Sequence, residues 1–254
     1  MRLSDWLAAG PFHLRLSSGY FGFYAHAGFL RALEDRGYWP TSIGGSSAGA
    51  LVAGLAASGL RGVALEKELN SFRRRDFWDP GVGLGLLRGR KLRDLIGDKL
   101  LVDAFERCET PLAVSVFDVM RRRTRILRSG PLAPALQASA ALPGLFQPVW
   151  LNGRPCLDGG ILDRTSLDTA PPTGTRLLFH HLAPSRRWHR KAAPVHHPPT
   201  RDGMIRFTID PLPRLGPFAL DRGPEVYALA RQKTIEALGQ PLNGQDVITV
   251  QGSP

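Results

Sequence analysis

Apolar and polar positions recur along this chain with two different periods, and the order of those periods outlines a fold. Phe12-His13-Leu14-Arg15-Leu16 alternates as a strand does, and Ser17-Ser18-Gly19-Tyr20-Phe21-Gly22 then makes a small-residue turn. Residues 27–36 read as a helix closed by Gly37. Trp39-Pro40-Thr41-Ser42-Ile43 supplies a second strand, and Ala50–Ala57 a second helix. Two strand–helix units in succession predict a parallel sheet covered on both faces. Residues 66–105 read as mainly helical, broken by Asp79-Pro80-Gly81-Val82-Gly83-Leu84-Gly85. Leu112–Phe117 and Thr124–Leu127 suit a buried and a more exposed strand, Pro134–Ala141 a helix that ends before Pro143, and Asn152-Gly153 a hairpin turn. Arg176–His180 and Met204–Ile209 suit strands, and Pro224–Leu238 a helix with Pro in its first turn and Gly239 after it. Between those two strands, Pro184–Arg201 is rich in Pro, His and Arg and reads as a surface loop. The chain shows no internal repeat and no low-complexity linker, so its 254 residues are expected to form one large domain, 1–254.

Composition narrows the partners. The net charge is +11, much of it in Arg73-Arg74-Arg75, in residues 88–93 and in Arg121-Arg122-Arg123 with Arg125. Such clusters suit a solvated face or an anionic membrane surface. No helix-turn-helix, zinc-finger or aromatic RNA-binding pattern accompanies them, which makes nucleic acid the weaker reading. The two cysteines, Cys108 and Cys156, form no metal or redox motif, and a reducing cytosol is expected. Asp5 interrupts the short apolar N-terminal patch, which makes it a poor secretory signal. The apolar run from Ile43 to Leu60 is rich in glycine and reads as buried structure rather than a membrane span.

Candidate chemistry centres on Gly45-Ser46-Ser47-Ala48-Gly49, which fits the G-x-S-x-G nucleophile elbow between a strand and a helix. A serine at such a sharp turn has a strained backbone, and glycines two residues to either side let neighbouring chain pass without a Cβ clash. The hydroxyl needs a base, and the tetrahedral intermediate needs preorganised donors. The turn 17–22, between a strand and a helix, offers unpaired backbone N–H groups for the second task. Asp158 in Asp158-Gly159-Gly160 is the candidate for the first, although Asp-Gly is also ordinary turn chemistry.

Taken in order, the glycine turn, the elbow, the block Ala138-Ser139-Ala140-Ala141-Leu142-Pro143-Gly144-Leu145-Phe146-Gln147-Pro148-Val149 and the D-G-G segment resemble the patatin-like phospholipases over residues 12–170. The resemblance implies an α/β fold, a three-layer α/β/α sandwich with a largely parallel central sheet. It also implies a lipid acyl hydrolase with a Ser47–Asp158 dyad and an acyl-enzyme, an oxyanion hole built from the backbone around Ser18, Gly19 and Tyr20, and no metal or other cofactor. The chain departs from the family pattern in that turn: Ser17-Ser18-Gly19 replaces a glycine triplet, and Phe21 stands where a basic residue is common. Which amides face the reacting carbonyl is therefore open, and a catalytically silent lipid- or membrane-binding relative is an alternative.

A second enzyme reading is an α/β-hydrolase triad of Ser47, Asp158 and a histidine drawn from His180, His181, His196 or His197. His26, on the first helix, reads as a packed residue near the site. Tyr20, Phe21, Phe23, Tyr24, Leu142, Leu145, Phe146 and Trp150 are candidates for an acyl channel or for core. The expected location is cytoplasmic, with peripheral contact at a membrane.

Overall fold

The computed structural model describes residues 1–183, 199–242 and 247–252. Its centre is a nine-stranded sheet built from β1 (His13–Leu16), β2 (Ser42–Ser46), β4 (Leu112–Asp118), β5 (Arg123–Leu127), β7 (Val149–Leu151), β8 (Arg154–Asp158), β9 (Leu177–His181), β10 (Met204–Asp210) and β11 (Val247–Gln251). The strands lie in the order β11-β10-β9-β1-β2-β4-β8-β7, with β5 paired to β4 off that path. From β11 across to β4 every pairing is parallel, and β5 and β8 run antiparallel to β4. Parallel strands buried on both faces need continuous apolar runs, and β9 is buried along its whole length.

Helices cover the sheet in an α/β/α arrangement: α1 (Leu3–Ala8), α2 (Phe23–Glu34), α3 (Ala48–Ala57), α4 (Gly62–Ser71), α5 (Arg74–Phe77), α6 (Arg90–Lys99), α7 (Leu132–Ser139) and α8 (Gly223–Leu238). Nearly every residue of α3 is buried, as expected of a helix that is apolar all round. Helices α2 and α8 pack together, and Arg231 of α8 closes that contact through an ion pair with Asp35 at the end of α2. Among the described residues, no helix is long and apolar enough to cross a membrane.

The observed boundaries move several expectations. β2 occupies residues 42–46 rather than 39–43, because the strand runs straight into the elbow. Trp39 instead lies outside it, its Nε1 donating to Thr110 Oγ1 and its ring under Arg61. α2 begins at Phe23, directly at the glycine turn, and not at Ala27. The stretch 66–105 is less helical than its composition suggests: it holds β3 (Gly85–Leu87), paired with β6 (Gly144–Phe146) in a separate two-stranded sheet. α1 and β11 add to the expected elements: Leu3, Trp6 and Leu7 bury one helical stripe, and Ile248 and Val250 alternate with exposed Thr249 and Gln251. Of the expected loop 184–201, residues 184–198 lie outside the described residues.

Candidate active site

The turn 17–22 leaves the C-terminal end of β1, and the elbow leaves the C-terminal end of its parallel neighbour β2. Ligand sites in open α/β sheets form in the crevice beyond these strand ends. Ser47 stands between β2 and α3 with φ 54° and ψ −120°, a conformation with positive φ that L residues rarely hold. The two elbow glycines make this geometry possible. A Cβ on Gly49 would lie 2.2 Å from the Leu16 carbonyl oxygen, and one on Gly45 would lie 2.2 Å from the Gly49 carbonyl carbon. The Ser47 amide donates to Ser139 Oγ at 2.9 Å, and Ser139 Oγ donates to the Ser115 carbonyl at 2.7 Å. Helix α7 thus clamps the elbow onto β4.

Asp158 closes β8, which the Asn152-Gly153 turn folds back against β7. Both turn residues have positive φ, 51° and 74°, as a tight two-residue hairpin demands. Ser47 Oγ donates to Asp158 Oδ2 at 2.6 Å, while the Gly160 amide donates to Asp158 Oδ1 at 2.7 Å. The carboxylate is therefore held by both oxygens. The residue is only 3% exposed. Burial pushes its carboxyl up to about 6, against the opposing pull of the Ser47 hydroxyl, the Gly160 amide and the Arg164 charge. The D-G-G glycines are close-approach positions, since a Cβ on Gly159 would meet the Ser115 carbonyl oxygen at 2.2 Å.

In the turn, the Ser18 amide donates to the Arg164 carbonyl at 2.8 Å, which removes it from the set of free donors. The amides of Gly19 and Tyr20 make no hydrogen bond to any described residue. Ala48, first residue of α3, also has no intrahelical acceptor for its amide and lines the same cavity. Tyr20 itself has φ 57°.

These groups open on a cavity of about 1340 Å³. Tyr20, Phe21, Phe23, Leu142, Leu145 and Phe146 line it, as do Phe72, Phe77, Leu92 and Leu95. Two acyl-channel candidates fall elsewhere. Tyr24 is buried core whose hydroxyl donates to the Leu69 carbonyl, and Trp150 is 69% exposed on the short strand β7.

Among the described residues, no histidine completes a triad with Ser47 and Asp158. His26 Nε2 donates to the Ser17 carbonyl at 2.8 Å, which leaves its Nδ1 as an acceptor; His180, whose Nδ1 lies 2.9 Å away, must then donate. His180 is stacked on Phe29 and does not line the cavity, and His181 packs against Phe179. Burial lowers His26 to about 4 despite its bond to Ser17, and burial also holds His180 well below the usual imidazole range. His196 and His197 lie outside the described residues.

Sequence reasoning assigns no role to Ser139, Ala48, Arg164 or Arg214, all of which touch the site or its cavity. Ser139 is visible as part of the A-S-x-A-L-P-G block, whereas Arg214 carries no local signal at all. Among the described residues, no cluster of His, Cys, Asp or Glu is arranged to hold a metal ion.

The family model for patatin-like phospholipases matches residues 14–171, a span that contains the turn, the elbow, Ser139 and Asp158. The chain belongs to this family. Among curated relatives of this patatin-like chain, an uncharacterized NTE family protein of Mycobacterium tuberculosis is 36% identical over 164 residues, covering 63% of this chain and 45% of the relative. Lysophospholipase NTE1 of Yarrowia lipolytica is 27% identical over 189 residues, covering 70% of this chain and 13% of that one. The chain thus spans less than half the length of these relatives. Among solved structures, the type III effector protein ExoU has a TM-score of 0.52 at 17% identity, covering 90% of this chain and 52% of that one, a likeness of fold alone.

Proposed function

We propose that this patatin-like protein is a serine lipid acyl hydrolase of the phospholipase A or lysophospholipase kind, working through an acyl-enzyme. The observation that carries this reading is the 2.6 Å bond from Ser47 Oγ to a buried, doubly held Asp158 at the wall of a large, mostly apolar cavity. Asp158 accepts the Ser47 proton as Oγ attacks the ester carbonyl. The amides of Gly19, Tyr20 and Ala48 receive the oxyanion, and the leaving alcohol takes the proton from Asp158. Water activated by the same carboxylate then attacks the acyl-enzyme and releases the fatty acid. An ordinary aspartate is a weak base toward an alcohol, and burial raises this one. Each oxyanion donor contributes about 3–4 kcal/mol in comparable sites.

We take residues 1–254 as one folded unit, because β9, β10 and β11 extend the same sheet beyond the span of the family match. We also place the working enzyme at an anionic membrane surface. Phe77 of α5 and Leu92 and Leu95 of α6 form part of the cavity wall, and the same two helices carry exposed Arg74, Arg75, Arg90, Lys91 and Arg93.

The test is fluorophosphonate labelling with peptide mapping, alongside hydrolysis of a lysophospholipid by wild type, Ser47→Ala and Asp158→Ala. Label on Ser47 and a loss of roughly a thousandfold or more in kcat for both variants are expected. Label on another residue, or equal turnover by all three proteins, would refute the assignment.

A further inference from the structure

Two arginines line the cavity without a role in the acyl transfer. Both are tied to the surroundings of the oxyanion turn, Arg164 by its backbone carbonyl and Arg214 by its guanidinium. The Arg164 carbonyl accepts from the Ser18 amide, and Arg214 donates from Nη2 to the Ala183 carbonyl at 2.9 Å. Ala183 follows Leu182, whose side chain fills the space over Gly19 and Gly22. Arg164 and Arg214 therefore border the same cavity as Ser47 and Asp158.

Their charges are poorly compensated. Arg164 is half-buried, and its Nε is buried with no hydrogen-bond partner among the described residues. Burial and then the charge of Arg214 lower its proton affinity, and Asp158 is the acidic group that opposes them. Asp210 does the same for Arg214, which lies at the exposed edge of the cavity. A half-buried guanidinium with an unpaired donor is costly unless an anion joins it. Guanidinium groups bind phosphate strongly, often through two parallel hydrogen bonds.

We propose that Arg164 and Arg214 form an anion subsite that takes the phosphodiester of a phospholipid while its ester carbonyl lies at Ser47. The apolar wall of Phe72, Phe77, Leu92 and Leu95 takes the acyl chain. The pair then selects phosphate-bearing esters over neutral glycerides. It also replaces the basic residue missing at Phe21, since the positive charge enters the cavity from the loop after Asp158 and from residue 214.

This inference rests on the reading of Ser47 as nucleophile, so its test is built to fail separately. The quantity to measure is the ratio of kcat/KM for a short-chain lysophosphatidylcholine to that for a monoacylglycerol of the same chain, in wild type, Arg164→Gln and Arg214→Gln. Both esters use the same dyad, so any effect of Arg164 on Asp158 cancels in the ratio. The ratio is expected to fall about tenfold or more in each variant, chiefly through KM for the phospholipid. An unchanged ratio, including one in which both rates fall together, would overturn the proposal.

If wild type hydrolyses neither ester, the proposed activity has failed and binding decides the subsite. The Ser47→Ala protein should then bind dodecylphosphocholine more tightly than dodecyl maltoside in calorimetry, with the preference lost on adding Arg214→Gln. Equal binding of the two detergents would overturn the subsite. Dodecanoate bound as tightly as dodecylphosphocholine would assign the arginines to a product carboxylate and overturn the phosphodiester assignment.

Discussion

Replacing Asp158 by asparagine should make the protein more stable while removing its activity. The side chain is almost entirely buried, and burial raises its carboxyl from 3.8 to about 6. At about 1.4 kcal/mol per pH unit, that rise means that ionised Asp158 costs the folded state about 3 kcal/mol relative to the unfolded chain. The sign follows from proton uptake. Below pH 3.8 the carboxyl is protonated in both states and costs nothing. Between about 4 and 6 the unfolded chain releases its proton first, so stability falls as pH rises through this window, and above about 7 the penalty is complete.

The asparagine side chain would carry no charge at any pH. Its amide oxygen can still accept from the Gly160 amide, and its nitrogen can donate to Ser47 Oγ, so both bonds have a neutral replacement. The Asp158→Asn variant is therefore expected to be about 1–3 kcal/mol more stable than wild type at about pH 8, roughly 3–10 °C in Tm, and nearly equal to it at about pH 4. Urea unfolding of both proteins across roughly pH 4–8 measures the gap directly. Comparison with wild type also cancels Asp163, a second carboxyl that burial and then Asp168 push up to about 6. A variant less stable than wild type at the alkaline end, or a gap that does not change with pH, would show that ionised Asp158 is not held at a cost.

The same ionisation should set the pH dependence of turnover: kcat/KM for a neutral ester is expected to rise about tenfold per pH unit below about 6 and to level above it. A profile flat from about pH 5 to 8 would remove Asp158 as the base. Hydrolysis of lipid in anionic vesicles should exceed that in neutral vesicles at about 10 mM salt, and the advantage should shrink at about 0.5 M, where the screening length falls to a few ångströms. Equal rates on both surfaces at low salt would refute a membrane role for the basic faces of α5 and α6.

The parts of the site that can be read in the chain are those fixed by local backbone sterics. Gly45 and Gly49 are demanded by contacts at 2.2 Å with neighbouring backbone, and Asn152-Gly153 by two consecutive positive φ angles. A short-range pattern states such requirements directly. What the sequence hides depends on partners distant in the chain. Arg164 shares its cavity with Arg214, and Ser17 is held by His26 and by Leu182, whose amide donates to Ser17 Oγ across 165 positions. Trp150 and Tyr24 lie away from the cavity for a related reason: proximity in sequence to a motif does not say which face of a strand or helix meets the site.

The unusual turn illustrates how a departure from pattern can be absorbed. Ser17 donates its amide to the His180 carbonyl, accepts at its own carbonyl from His26 and accepts at Oγ from Leu182, and Ser18 donates to Arg164. Neither serine adopts positive φ, so neither position requires glycine for conformational reasons. The positive φ falls instead on Tyr20, further along the turn, and on Ser47 across the cavity. Each such residue costs on the order of 1–3 kcal/mol, which persists only where surrounding contacts fix the backbone. Here the contacts are identifiable: β9, α2 and the loop after Asp158 hold the turn, while Ser139 and the close approach at Gly49 hold the elbow. Strain therefore sits on the two residues that flank the reacting carbonyl in the proposed mechanism. The anchoring of Ser17 and Ser18 leaves the amides of Gly19, Tyr20 and Phe21 as those of the turn with no hydrogen bond to a described residue, and Gly19 and Tyr20 are the two the proposed mechanism uses.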